Sequence, residues 1–234
     1  AADIASGCIS ITDERRESVD FPSTHYEGGV VLLCRKADIS SGDSSSPAIS
    51  KLSDLYGKNI GVMTGSIYDG MTEEFINDAK ILYYNNHTDM LQALKTKKID
   101  AFLADLPAAK ASHMSNPDVS YMEDMLADDS YGYVFAKAEK GVTLQGQMNE
   151  FLAKLESDGT LAQLDDIWLG TDESKKVVIP ETELVSTNGT LRLATGNTSE
   201  PFAYVRDGKV VGYDIDVITR FCREYGYGLE IEVM

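Results

Sequence analysis

Apolar positions along this chain fall into two rhythms, short unbroken runs and spaced stripes, which alternate as strands and helices do in an α/β protein. The unbroken runs predict buried strands over Ile4–Ile11, Val30–Cys34, Asn59–Met63, Ile81–Tyr84, Ile99–Asp105, Gly132–Ala136, Leu191–Thr195 and Leu229–Met234. Spacing of i, i+3 and i+4 predicts helices over about Asp69–Asp78 and over Thr88–Lys97, where Met90, Leu91 and Leu94 share a face. The same spacing marks Leu144–Leu155, through Leu144, Met148, Phe151, Leu152 and Leu155, and a late stripe of Ile215, Ile218, Phe221, Cys222 and Tyr225. A short helix is expected at Lys51–Leu55, and Pro107 stands where another would start. Two stretches lack period: Ala37–Ser50, Ser-rich and read as a surface loop, and Thr171–Gly189, read as a linker.

Composition narrows the classes. At 234 residues, 43% hydrophobic and 25% charged, the chain suits one two-lobed domain or two small ones. No apolar run approaches the length of a membrane span. The chain opens on AADIAS, with no signal peptide and no Met, as a mature fragment would. A net charge of −17 argues against nucleic acid and anionic membrane surfaces as direct partners. Cys8, Cys34 and Cys222 are odd in number, without metal-ligand spacing, and read as buried free thiols. His25, His87 and His113 are isolated in sequence, and His25, in a loop, reads as solvated. Nucleophile-elbow, phosphate-loop and zinc-protease motifs are all missing from the sequence, so no catalytic residue, metal or cofactor is expected.

Three stretches carry candidate chemistry. In Asp3–Phe21, an apolar run ends at Thr12, a helix N-cap residue followed by Asp13 and Glu14, which suit a first helical turn. Arg15 and Arg16 do not suit it: they pair with the neighbouring acids on a solvated surface, or one of them meets an anion. The second stretch, Thr64-Gly65-Ser66, joins a strand to a helix, either as a plain connection or as a turn whose N–H groups take an anion. Asp105 ends a buried strand, the place where open α/β sheets bind ligands, and it also stands where it could cap the helix before Pro107.

These stretches resemble the type 3 extracellular solute-binding proteins, which bind polar amino acids for importers. The resemblance rests on Cys8-Ile9-Ser10-Ile11-Thr12-Asp13-Glu14-Arg15 followed by Val19-Asp20-Phe21, on the T-G-S turn, on Asp100-Ala101…Asp105, and on Asp158-Gly159-Thr160-Leu161 with Trp168-Leu169-Gly170. It implies a periplasmic-binding-protein-like (Venus flytrap) fold of type II, with two lobes, two crossing strands as the hinge, and the ligand in the cleft between lobes. By carry-over, Arg15 grips the ligand's carboxylate, Ser10 adds a hydroxyl and a backbone N–H, and Cys8 contributes backbone. On the second lobe Thr64, Gly65, Ser66 and Ile67 meet the carboxylate, Asp105 takes the ammonium, and Met63 offers a soft wall to the side chain. Asn197 and Ser199 fall on a pocket-lining loop. The implied ligand is an L-α-amino acid, polar rather than large and apolar, the implied partner an ABC transporter permease, and the implied location extracellular or in the cell envelope. A sensor domain of a membrane receptor is the rival reading, and enzymes on this fold are a more distant one.

The order of segments departs from that family. Leu191-Arg192-Leu193-Ala194-Thr195, Pro201-Phe202-Ala203-Tyr204 and Gly212-Tyr213-Asp214-Ile215-Asp216 resemble the opening of such a domain, yet they come last. The expected layout is lobe 1 over residues 1–33, lobe 2 over 34–132, a return to lobe 1 over 133–170, a linker over 171–189, and an opening β-α-β unit over 190–234. That last unit is expected to complete lobe 1 as a circular permutant cut from a tandem array, in a monomer rather than a domain-swapped dimer.

Overall fold

A computed structural model of the chain describes residues 2–39, 49–180 and 183–234, so most of the Ser-rich loop expected at 37–50 lies outside the described residues. The chain runs from β1 (Ile4–Ser6) through α1 (Asp13–Ser18) and β2 (Val19–Asp20) into the long strand β3 (Tyr26–Arg35). Then follow β4 (Asn59–Met63), α2 (Tyr68–Phe75), β5 (Lys80–Tyr84), α3 (His87–Lys95), β6 (Ala101–Asp105) and α4 (Leu106–Ser115). β7 (Val119–Tyr121), β8 (Ala127–Tyr131) and β9 (Phe135–Ala136) lead to α5 (Glu139–Ser157) and α6 (Thr160–Trp168). The C-terminal part holds β10 (Thr190–Thr195), β11 (Thr198–Ser199), β12 (Ala203–Arg206), β13 (Lys209–Val211), α7 (Tyr213–Tyr225) and β14 (Gly228–Val233). Two compact units result: Gly28–Asp129, and the residues up to Glu27 together with Ser130–Met234.

In the unit Gly28–Asp129 the strands order as β5-β4-β6-β3-β7, with β8 also paired to β3. β4 runs parallel to β5 and β6, while β3 is antiparallel to β6 and β7. The unbroken apolar run of β3 follows from burial on both faces. Val30, Leu32 and Cys34 pack with Ile60, Val62 and Leu103, whereas Val31 and Leu33 pack with Met90, Leu94 and Phe102. Every residue of β6 is buried, Asp105 included. Burial raises the Cys34 thiol to about 12, and the Cys222 thiol of the other unit likewise to about 12, which keeps both protonated.

In the other unit β10 lies between β1 and β14, all parallel, with Ile4 opposite Leu193 and Leu193 opposite Ile231. α7 turns Ile215, Ile218, Phe221 and Cys222 into a core shared with Leu144, Met148, Phe151 and Leu152 of α5. The C-terminal segment is thus built into the same sheet and core as the N-terminal one.

Four expectations change. The strand predicted over Ile4–Ile11 ends at Ser6, because Gly7 (φ 117°) and Cys8 (φ 55°) take left-handed backbone that no strand accommodates. The run Gly132–Ala136 is not one strand: β8 at 127–131 pairs with β3, and only Phe135 and Ala136 form a strand, paired with β2. The 171–189 stretch is no free tether, since Val178 and Leu184 pack on the core and Lys176 is buried. Finally, His25 is not solvated. It is 5% exposed, stacks on Tyr133 at 4.1 Å between ring centres, and places Nε2 2.9 Å from Oδ1 of Asp214.

Candidate functional site

The two units each carry a group of the candidate residues. In the unit that holds both termini, the left-handed turn at Gly7–Cys8 ends the pairing of β1 with β10 and takes the chain away from that sheet. A Cβ on Gly7 would lie 3.4 Å from the Gly196 nitrogen, so this turn sits against the start of the loop bearing Asn197 and Ser199. Ser10 is buried and bridges to Tyr131. Thr12 caps α1 by accepting from the Arg15 N–H, which settles the register of the short helix. That register divides the arginines. Arg15 is half-buried and donates from Nη1 to the Ser10 carbonyl at 2.8 Å, while Arg16 is exposed with its guanidinium over the Phe21 ring. The fork of Arg15 is therefore held beside Ser10. Cys8 is half-buried, and its left-handed backbone is what it brings to the turn.

In the second unit, β4 ends at the half-buried Met63, and Thr64-Gly65-Ser66 turns the chain into α2, helped by the left-handed Gly65 (φ 76°). The turn is closed internally. The Thr64 hydroxyl donates to the Tyr84 carbonyl at 3.2 Å, and the Ser66 hydroxyl donates to the Met63 carbonyl at 2.7 Å. Ser66 Oγ also accepts from the Tyr68 N–H at 3.3 Å. The Ser66 hydroxyl proton expected to reach a ligand is thus given to the turn.

Asp105 stands at the N-cap position of α4, with Pro107 in the first turn, yet its side chain makes no capping bond. The residue is 8% exposed, and its buried Oδ1 has no hydrogen-bond partner. Burial, opposed by a hydrogen bond from Tyr68 and reinforced by the neighbouring Asp129 charge, pushes its pKa up to about 7. Asp100, five residues earlier in the same motif, is structural: it accepts from the Asn59 N–H and pairs with Arg35.

Two members of this second group, Tyr68 and Asp129, were not legible in the sequence. Asp129 lies on β8, whose polar run Ala-Asp-Asp-Ser-Tyr gives no strand signal, and only its pairing with β3 brings it to Asp105. Tyr68 would be found only by fixing the start of α2.

Comparison with known proteins bears on the whole arrangement. The chain is 28% identical over 180 residues to the L-cystine-binding protein TcyJ of Escherichia coli, covering 74% of this chain and 62% of that relative. It thus spans somewhat under two thirds of the relative's length. Among solved structures it resembles an amino acid ABC transporter substrate-binding protein, AbpA from Streptococcus pneumoniae bound to L-arginine, at 26% identity and a TM-score of 0.59, covering 69% of this chain and 65% of that one. An ancestral arginine-binding protein bound to glutamine matches at 27% identity and a TM-score of 0.63, covering 72% of each chain. Residues 1–171 match the bacterial extracellular solute-binding proteins, family 3, and the chain belongs to that family.

Proposed function

We propose that this chain binds a polar L-α-amino acid and delivers it to the permease of an ABC importer from the outer side of the membrane. The observation that carries the reading is Asp105, a buried carboxyl with an unpartnered oxygen at the carboxyl end of a strand. A fold keeps such a group only when something outside the chain satisfies it, and an α-ammonium has the charge and the donors to do so. Arg15, with Ser10 and the Cys8 backbone, would take the carboxylate, as would the Gly65–Ile67 backbone. Asn197 and Ser199 would line the first group, and Met63 would face the ligand's side chain. The role is binding without chemistry, since an ammonium partner accounts for the one buried acid without assigning it a proton-transfer step. In the same reading residues 190–234 supply the opening unit of the first lobe, as their pairing through β10 with β1 supports.

A thermal-shift screen of the twenty amino acids tests the reading. Saturation at about 100 times Kd should add roughly 2.7 kcal/mol of stability. Folded, ligand-free protein that shifts with none of them would sink it.

The arginines provide a finer test. Arg15→Ala should weaken binding by about 2 kcal/mol, the lower end for a charge-assisted clamp because the side chain is half-exposed. Arg16→Ala should change affinity by less than about 0.5 kcal/mol. Calorimetric titration of both variants with the best amino acid decides it, and the reverse ranking would place the clamp on the wrong arginine.

A further inference from the structure

A strained residue stands in the stretch that leads to Ser10 and Arg15. Cys8 takes left-handed backbone (φ 55°), which a residue with a Cβ seldom adopts unless its surroundings hold it there. On either side of the turn the chain is held by backbone pairing. Ile4–Ser6 lies on β10, while the Ile9 carbonyl accepts from the Gly132 N–H and the Ile11 N–H donates to the Ser130 carbonyl. At the turn itself the Gly7 N–H goes to a side chain, donating to Oδ2 of Asp214 at 2.9 Å.

Asp214 is in turn held by its own neighbours. Its N–H, in the first turn of α7, donates to the Phe202 carbonyl at 3.0 Å. Its Oδ1 lies 2.9 Å from Nε2 of His25, which donates there because a carboxylate can only accept. The His25 ring stacks on Tyr133, and its backbone donates to the Tyr131 carbonyl and accepts from the Tyr213 hydroxyl. Each oxygen of this buried carboxylate thus has its own donor.

From this geometry we infer that Asp214, braced by His25, is a positioning residue of the amino-acid site. It fixes the Gly7–Cys8 turn in the left-handed backbone from which the Cys8 main chain, Ser10 and the Arg15 fork are presented. This deepens the amino-acid reading above and rests on it. The effect of Asp214 on a ligand runs through the turn, since both of its oxygens are already taken. The turn leads directly into Ser10, whose carbonyl accepts from Arg15 Nη1 at 2.8 Å, so a turn that swings carries both residues with it. A Cys8 relaxed to ordinary backbone would send the chain another way before Ser10 is reached. Holding the strained form in the empty protein spares the ligand the cost of ordering it.

The test is a double-mutant cycle between Asp214→Asn and Cys8→Gly. Asparagine keeps the size of the side chain but offers one oxygen to two donors. His25 cannot make up the difference by moving its proton to Nδ1, which is buried with no partner among the described residues. Calorimetry with L-arginine and L-glutamine as probes, on variants shown to be folded by circular dichroism, should find binding weakened by about tenfold or more in Asp214→Asn. In the Cys8→Gly background the same change should cost less than about threefold, because glycine takes left-handed backbone without strain. Amide NMR of ligand-free Asp214→Asn should show changes that spread over residues 7–10 and Arg15. His25→Phe, which keeps a ring on Tyr133 but takes the donor from Oδ1, should give the same pattern more weakly and supplies the comparison if Asp214→Asn does not fold. Unchanged affinity, equal losses in both backgrounds, or spectral changes confined to α7 would show that Asp214 only steadies its helix, and would overturn the proposal. If neither probe nor any other amino acid binds wild type, the amino-acid reading fails on its own account, and the ligand-free spectra still decide whether Asp214 holds the turn.

Discussion

Replacing Asp105 with Asn should make the protein more stable at neutral pH while removing its affinity for an amino acid. The folded state raises this carboxyl from 3.8 to about 7, so it binds the proton more tightly than the unfolded chain does. The unfolded state therefore holds fewer protons between these values, and stability falls as pH rises through that window. A shift of about three units corresponds to roughly 4 kcal/mol, all of it present as a penalty above pH 7 and almost none at pH 4. Asparagine keeps the shape and carries no such penalty. Denaturation of both proteins from pH 4 to pH 8 should give curves that nearly meet at the acid end and separate by a few kcal/mol at the other. Parallel curves would show that the carboxyl titrates normally in the folded protein. Binding should move the opposite way, by two or more powers of ten in Kd, because the amide offers the ammonium no charge.

The Asp214→Ala variant should lose about 3–5 kcal/mol of stability, with the loss centred on the C-terminal segment. Asp214 is fully buried at the start of α7, where its Oδ2 accepts from the Gly7 N–H at 2.9 Å and its Oδ1 lies 2.9 Å from His25 Nε2. Truncation leaves the buried His25 ring nitrogen and the half-buried Gly7 N–H without this partner, the first at a cost of about 1–3 kcal/mol in addition to the lost bonds. The Tyr213 hydroxyl, which donates to the His25 carbonyl at 3.1 Å, ties the same two segments together from the adjacent position. Urea unfolding should show a lower midpoint with an unchanged slope. Hydrogen exchange should rise in β1, β10 and α7 before it rises in the sheet of Gly28–Asp129. A loss under about 1 kcal/mol would mean that the packing of Ile215, Ile218 and Phe221 holds the segment without this link.

Local pattern carried much of this fold. A strand buried on both faces is apolar without interruption, which made Val30–Cys34 visible, and a helix buried on one side repeats every three to four residues, which made α5 and α7 visible. The place of Asp105 was legible for the same reason: a buried run that ends in a carboxylate just before a Pro is uncommon on physical grounds. Residues alone left open which arginine turns inward; the family resemblance chose Arg15, and the cap by Thr12 agrees with it, because adjacent residues on a helix point about 100° apart. The sequence also marked a β-α-β unit at the end of the chain, which the structure has as β10, α7 and β14. Tertiary structure decided the rest. The break after Ser6 depends on backbone sign at Gly7 and Cys8, which hydrophobicity does not record. His25 is buried because Asp214, far along the chain, closes over it, and a lone histidine carries no mark of so distant a partner. Asp129 meets Asp105 only because β8, polar by composition, is drawn into the sheet by pairing with β3. Periodicity reports which face of an element meets the core. Which charges meet one another is set by how remote segments close together, and that is a property of the folded chain.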